Sequence, residues 1–439
     1  MNPIANLQIL YLRIIRWFTE PQSTRQIIRS NFINVQIDAV GVGLASTASP
    51  FLPVLLTRLG ASTFQVSMLT FMPAVTGLIL AIPLGQFLQT RRNIVPWFSF
   101  ARLAVLSSYA LTGLIIFFLP SAASIIGILG IWALATIPQT VLNITFSVVM
   151  NLVAGPEGRY ELMTHRWSIL GFTNASTALL AGQFLESLPF PLNYQVVFIA
   201  LSAGSLISFY FSSHLIIKDN PPAEKTNQRQ SFREWANNYV HLVMGEKPFV
   251  SFVAKRFVFL TGTALIAPLL PIYFVNQLNA SDFWIALINI AANITVILGY
   301  SLWMRETRRR GSMMVLLATT CGVSFYPILV AMTNQVWPVV IYAGLSGIFN
   351  AGLNLVFFDE LMKRVPVAYS ATFIAAAQGL QYMSSIVAPL LASWLADQIG
   401  IGMALVLGGV VSMVGFGLFL AEMLGSRREE KNAQEAISK

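Results

Sequence analysis

Pro50-Phe51-Leu52-Pro53, followed by Leu59-Gly60-Ala61-Ser62-Thr63-Phe64, occurs a second time as Pro268-Leu269-Leu270-Pro271 and Leu278-Asn279-Ala280-Ser281-Asp282-Phe283. The proline pairs lie 218 positions apart and the Leu-x-Ala-Ser-x-Phe segments 219, so one inserted residue separates two copies of the same unit. Other matches keep the same order. Thr90-Arg91-Arg92 returns as Thr307-Arg308-Arg309, and Leu142-Asn143 with Phe146 returns, 211 positions on, as Leu353-Asn354 with Phe357. The chain is two similar halves, and in a strongly apolar chain such duplication marks proteins whose halves rock about a shared axis.

The composition is that of a membrane protein. Of 439 residues, 56% are hydrophobic and 10% charged, against roughly 25% charged in soluble domains. Apolar runs of about 20 residues, each long enough to cross a hydrocarbon core as a helix, recur along most of the chain. They are continuous rather than alternating, which selects helices over a barrel. The net charge of +9 comes from basic residues at the ends of apolar runs, not from a patch interleaved with exposed aromatics, so nucleic acid is not an expected partner. The single Cys321 excludes a disulfide within the chain.

The expected organisation is an amphipathic interfacial segment at 1–29, a six-helix bundle at 30–217, a cytoplasmic linker at 218–248, a second six-helix bundle at 249–424 and a disordered cytoplasmic tail at 425–439. In the first segment, Leu7, Leu10, Tyr11, Ile14 and Phe18 share one helical face and Arg13 and Arg16 the other. Twelve spans are expected. Span 1 runs from about Asn31 to Leu56, Gly155-Pro156-Glu157-Gly158 forms a loop between spans 4 and 5, and span 5 covers Leu162 to Phe184. The linker carries Pro221-Pro222 and a short interfacial helix near Phe232–Val243. With the amino terminus cytoplasmic, every Lys and Arg except Arg58 and Arg102 falls on or near the cytoplasmic side, which places both termini inside. Halves with even numbers of spans share one orientation, giving a parallel pseudo-twofold repeat.

Twelve spans as six plus six, a charged central linker, the Leu-Gly-Ala-Ser turn before span 2 and the glycine-then-basic turn between spans 2 and 3 resemble the major facilitator superfamily over residues 30–424. The family's loop signature is a Gly, an Asp four residues later and a basic cluster. Gly85 matches the glycine, Gln89 stands in place of the Asp, and Arg91 and Arg92 supply a shifted basic pair. The resemblance implies a latch between the halves at this loop, weakened here because Gln89 carries no charge. It also implies a plasma (inner) membrane, multi-pass transporter with a central site lined by spans 1, 4, 7 and 10.

Polar groups inside spans are the candidates for function, because lipid makes them costly. Asn31, Asn34 and Asp38 share a face of span 1. Asp38 has two candidate partners: Arg102 of span 3, and Arg256, its repeat equivalent in span 7, with which it would pair across the halves when the cytoplasmic side closes. Gln139 and Asn143 in span 4 and Asn350 and Asn354 in span 10 are matched i, i+4 pairs, readable as a midplane substrate site or as interhelical hydrogen bonds. Asn289 and Asn293 in span 8 and Gln378 and Gln381 in span 11 are further cavity candidates. Pro50, Pro53, Pro268 and Pro271 remove backbone hydrogen bonds near the outer ends of spans 1 and 7, as outer-gate hinges or fixed bends. Asp359, Glu360, Lys363 and Arg364 read as a local charge cluster.

His165, His214 and His241 have no zinc spacing, no Walker-type phosphate loop occurs, and neither catalytic residue, metal nor cofactor is expected. The expected function is secondary or facilitative transport of a small solute, with the bilayer and the solute as partners, protons through Asp38 as a candidate coupling ion, and a monomer as the working unit. An amide-rich, charge-poor site suits a neutral, zwitterionic or amphipathic solute better than a multiply charged anion. The competing reading is a non-transporting membrane assembly or pigment-handling factor on the same fold.

Overall fold

A computed structural model describes residues 22–217, 242–365 and 370–437. Among the described residues there is no strand. The first half comprises α1 (Gln22–Ser46), α2 (Phe51–Arg58), α3 (Thr63–Gln89), α4 (Val95–Phe118), α5 (Ser121–Ser187) and α6 (Leu192–Ser213). The second comprises α7 (Lys247–Asn276), α8 (Asp282–Arg310), α9 (Ser312–Ala331), α10 (Trp337–Arg364), α11 (Ser370–Ile399) and α12 (Ile401–Ile437). The amphipathic reading of Leu7–Phe18 lies outside the described residues, as does most of the linker.

Among the described residues, eleven helical stretches are long and apolar enough to cross a membrane. The expected fifth span is not among them; Asn174 and Gln183 interrupt its most apolar stretch. It is the second leg of α5, whose helical backbone continues through Gly155–Gly158 where the sequence predicts a loop. The axis nevertheless turns back. The Arg166 guanidinium lies 4.8 Å from the centre of the Phe146 ring, although twenty residues of straight helix would separate them by about 30 Å. Gly155, Pro156 and Gly158 are the only Gly and Pro residues between those two positions, and sharp bends in helices sit at such residues.

The two proline pairs behave differently. Before Pro50, α1 ends at Ser46 and the chain tightens into i→i−3 bonds, with Ser49 N donating to Ser46 O at 3.0 Å and Phe51 N to Ala48 O at 3.1 Å. Span 1 is therefore broken into α1 and α2 rather than continuous. Pro268 and Pro271 stay inside an uninterrupted α7. The turns after them keep the repeat: Gly60 (φ 89°) and Asn279 (φ 48°) occupy the same left-handed position, which ends a helix and frees the next residues to start another. Ser62 then caps α3 in a reciprocal capping box with Gln65, while Ser281 precedes α8 without a side-chain cap.

At the other boundary, α12 runs to Ile437 instead of ending near Leu424. The expected tail contains no Pro and several good helix formers, including Ala433, Gln434, Glu435 and Ala436, so propensity carries the helix on.

Within each half, the first and last spans pack backbone against backbone through small residues. A methyl group added at Gly204 of α6 would come within 2.3 Å of the Gly41 carbonyl oxygen of α1, and one at Gly262 of α7 within 2.5 Å of the Ser412 nitrogen of α12. In lipid, close approach of this kind replaces the hydrophobic effect as the force between helices. Gly204→Val is expected to destabilise the first half by about 1–3 kcal/mol, read as a lower thermal unfolding midpoint in detergent; an unchanged midpoint would mean the two helices do not pack this way.

Candidate functional site

The two ends of the molecule differ. At the end carrying the duplicated proline turns, one apolar core joins both halves, running from Ala45, Phe51 and Leu55 through Tyr194 and Phe198 to Leu269, Ile272, Ala388 and Leu405. At the end carrying the Arg91–Arg92 and Arg308–Arg310 clusters, the cores are separate. One gathers Val35, Phe98, Val149 and Leu162 of the first half, the other Phe252, Phe259, Phe357 and Phe419 of the second.

Two helix pairs carry most of the contact between the halves, with smaller contributions from α2 and α3 against α7. α3 meets α11 where Ser67 Oγ lies 2.8 Å from Ser393 Oγ, and where a methyl at Gly77 would strike the Tyr382 ring at 2.8 Å. α5 meets α8 where a methyl at Gly182 would strike Ala286 at 2.8 Å. Further along α3, Gly85 faces open space, and Arg91 rests on Phe87 and Trp97 of its own half. No latch joins the halves there among the described residues. The side chain of Gln89 lies outside them.

The proline end is instead latched by charge. Arg58 donates to Asp282 Oδ1 through Nε (3.1 Å) and Nη2 (2.9 Å) and to the Ala280 carbonyl at 3.0 Å, while the Tyr194 hydroxyl donates to the same carboxylate oxygen at 2.6 Å. Arg58 belongs to the first copy of the duplicated turn and Asp282 to the second, so the repeat places a cation opposite an anion across the interface. Asp282 is 5% exposed, and a buried carboxylate deprived of its cation is strongly destabilising.

Of its two candidate partners, Asp38 meets Arg102, in a short buried ion pair. Arg166 of α5 approaches the same carboxylate at 3.7 Å, and Ser208 of α6 donates to Oδ1 at 2.6 Å. Asp38 is 1% exposed and enclosed within the first half, so it is not poised to reach Arg256. Asn34, expected in the cavity, donates to the His214 carbonyl at 3.2 Å, and Asn31 bonds both backbone groups of Ile216; these amides tie α1 to the chain leaving α6.

A cavity of about 440 Å³ lies in the second half, walled by α7, α10 and α11. It brings together five sequence candidates, Arg256, Asn350, Asn354, Gln378 and Gln381, beside Thr263 and a wall of apolar residues that includes Phe357 and Phe358. Arg256 Nη2 donates to Gln381 Oε1 at 3.1 Å, its guanidinium lies 5.3 Å from the centre of the Phe357 ring, and its Nε is buried without a hydrogen-bond partner. Asn350 bonds the Ser346 carbonyl and hydroxyl.

The expected symmetric wall from span 4 is not part of this cavity. Gln139 and Asn143 bond each other at 2.9 Å, on the side of α5 away from the exposed Leu134, Ile137, Val148 and Leu152. Asn289 turns onto the Ile285 carbonyl of its own helix and Asn293 is exposed, and neither lines the cavity. Asp359, Glu360, Lys363 and Arg364 form a wider cluster than expected. Glu360 also takes a bond from Ser312, and Arg364 reaches Glu422, which pairs with Lys255 at 2.8 Å.

Sequence reasoning does not single out Arg166, Ser208 or the Arg58–Asp282–Tyr194 latch for these roles. Two signals could have found the latch: Arg58 is the one basic residue in the first outer loop, and Asp282 is the acidic departure from the repeat at Thr63.

No family model and no curated protein matches the sequence. The fold does match solved structures: a bacterial homologue of the iron transporter ferroportin in an inward-facing state (TM-score 0.68, 13% identity, 91% of this chain and 99% of that one), a point mutant of the nucleoside transporter NupG (0.67, 12%, 90% and 99%) and a POT family transporter in complex with 5-aminolevulinic acid (0.66, 11%, 90% and 95%). The chain is a multi-pass membrane protein with the major facilitator fold.

Arg58→Gln would leave Asp282 with Tyr194 alone and loosen the proline end. In a Cys321→Ser background, labelling of Ser67→Cys by a membrane-impermeant maleimide is expected to rise severalfold; unchanged labelling would show that the apolar core closes this end unaided.

Proposed function

We propose that the protein is a secondary transporter of a small solute that works by alternating access, in a state sealed at the proline end and open at the basic end. The observation that carries this reading is the single shared core at one end against two separate cores at the other. Because cytoplasmic loops are rich in Lys and Arg, the basic end is taken as cytoplasmic and the state as inward-facing. The same reading counts twelve crossings, the two legs of α5 being separate, and puts both termini in the cytoplasm.

The solute site is the cavity of α7, α10 and α11, at the depth where the halves part. Its volume lies within the range of about 300–1,000 Å³ that encloses small organic ligands. In the opposite state, breaking the Arg58–Asp282 latch and the α3·α11 and α5·α8 contacts would open the other end. Asp38, already held by two arginines and a serine, acts in this scheme as a structural anchor of the first half rather than as a proton carrier.

The Ser67–Ser393 contact supplies a direct test. With Ser67→Cys and Ser393→Cys oxidised to a disulfide in Cys321→Ser protein, proteoliposomes are expected to lose solute flux, and reduction should restore it. Flux that persists at full cross-linking would reject alternating access at this interface. The absence of flux for any solute class in folded, reduced protein would favour a non-transporting role.

A further inference from the structure

Arg256, half-buried, is the one charged residue among those lining the cavity, and it has no counter-ion among the described residues. Several other charged groups on the helices are compensated: Asp38 has two arginines, Asp282 has Arg58, Lys255 has Glu422, and Glu360 has Lys363 and Arg364. Among the described residues the guanidinium meets the neutral oxygen of Gln381 and the face of Phe357, and none of those lining the cavity is acidic. Lys255, next in the chain, is turned away to Glu422 and Ser251.

The neighbouring amides add donors to this cation. Gln381 spends its oxygen on Arg256, which leaves its NH₂ group to donate elsewhere, and Asn354 and Gln378 stand on the same wall. The rest of the wall is aromatic and aliphatic, from Phe259 and Phe357 to Met362 and Ile374. A guanidinium with no acidic partner among the described residues, flanked by amides and backed by an apolar surface, is complementary to a singly charged acid carried on an apolar body.

We propose that the cavity binds an amphipathic organic monoanion, its carboxylate, phosphate or sulfonate group on Arg256 and its apolar body against Phe357 and Phe358. The proposal rests on the cavity being the solute site. It also gives closure a cause: excluding water around an unpaired guanidinium is costly, and a bound anion removes that penalty. A neutral solute of the same shape would leave the charge uncompensated in the closed state.

The test uses purified full-length protein in a neutral detergent and a panel of soluble monocarboxylates, monophosphates and sulfonates with aliphatic or aromatic bodies, each paired with its amide or alcohol. Thermal stabilisation and direct binding titration are read for wild type, Arg256→Gln and Arg256→Lys, because a ligand of the folded state raises its stability by mass action. At least one anion is expected to stabilise wild type where its neutral partner does not, with affinity on the order of tenfold or more lower in Arg256→Gln and partly kept in Arg256→Lys, which also controls for folding. Stabilisation by neutral partners alone, by no anion in the panel, or equally in Arg256→Gln would overturn the proposal. So would stabilisation by added phosphatidylglycerol but by none of the soluble anions, since that would make the ligand a lipid headgroup. Anion binding without flux in proteoliposomes would uphold this inference and remove the transport reading; flux of neutral solutes indifferent to Arg256→Gln would do the reverse.

Discussion

The seal at the proline end is the interaction on which the architecture depends. Two copies of one turn meet there, and their departure from strict repetition, Arg58 in one and Asp282 in the other, turns a symmetric contact into an ion pair. The apolar core around it is drawn from both halves. Because the two halves share no core at the other end, that seal sets which side of the molecule is closed. Packed interfaces in general tend to switch between discrete arrangements rather than deform continuously, which is how small changes at a gate become large movements of domains.

Charge inside the spans divides the halves into different roles. In the first half, Asp38, Arg102, Arg166 and Ser208 knit α1, α4, α5 and α6 into one body, with the guanidinium groups resting on Phe98 and Phe146. In the second half the repeat equivalent of Asp38 is Arg256, and no acid meets it among the described residues. The same position therefore serves cohesion in one half and faces a cavity in the other.

Much of this was legible in the sequence. The duplicated turn revealed the two halves, and Gly60 and Asn279 keep the left-handed position that any Leu-x-Ala-Ser turn of this shape requires. Asn350, Asn354, Gln378 and Gln381 reached one cavity because polar side chains in apolar helices have few other places to go. The failures have physical reasons. Asn34 and Asn31 bond carbonyls of the chain leaving α6, a partner that the helical spacing of α1 does not display. Gln139 and Asn143 share one hydrogen bond and stand outside the second-half cavity. Arg166 stands close to a loop signal and reads as a cytoplasmic-end charge until the fold-back of α5 brings it onto Asp38. Pro50 broke span 1 where Pro268 did not break span 7, a difference that the matching proline spacing hides.

The most direct test of the account is a pair of pulsed electron–electron distance distributions on Cys321→Ser protein in lipid nanodiscs. One pair of labels would sit at the basic end, on Arg92→Cys and Arg309→Cys, and the other at the proline end, on Ser187→Cys and Gln277→Cys. Reciprocal two-state distributions are expected, with the basic-end pair shortening as the proline-end pair lengthens when Arg58 is replaced by Gln. A single distance at both ends, unmoved by that replacement, would contradict the two-state reading of the interface.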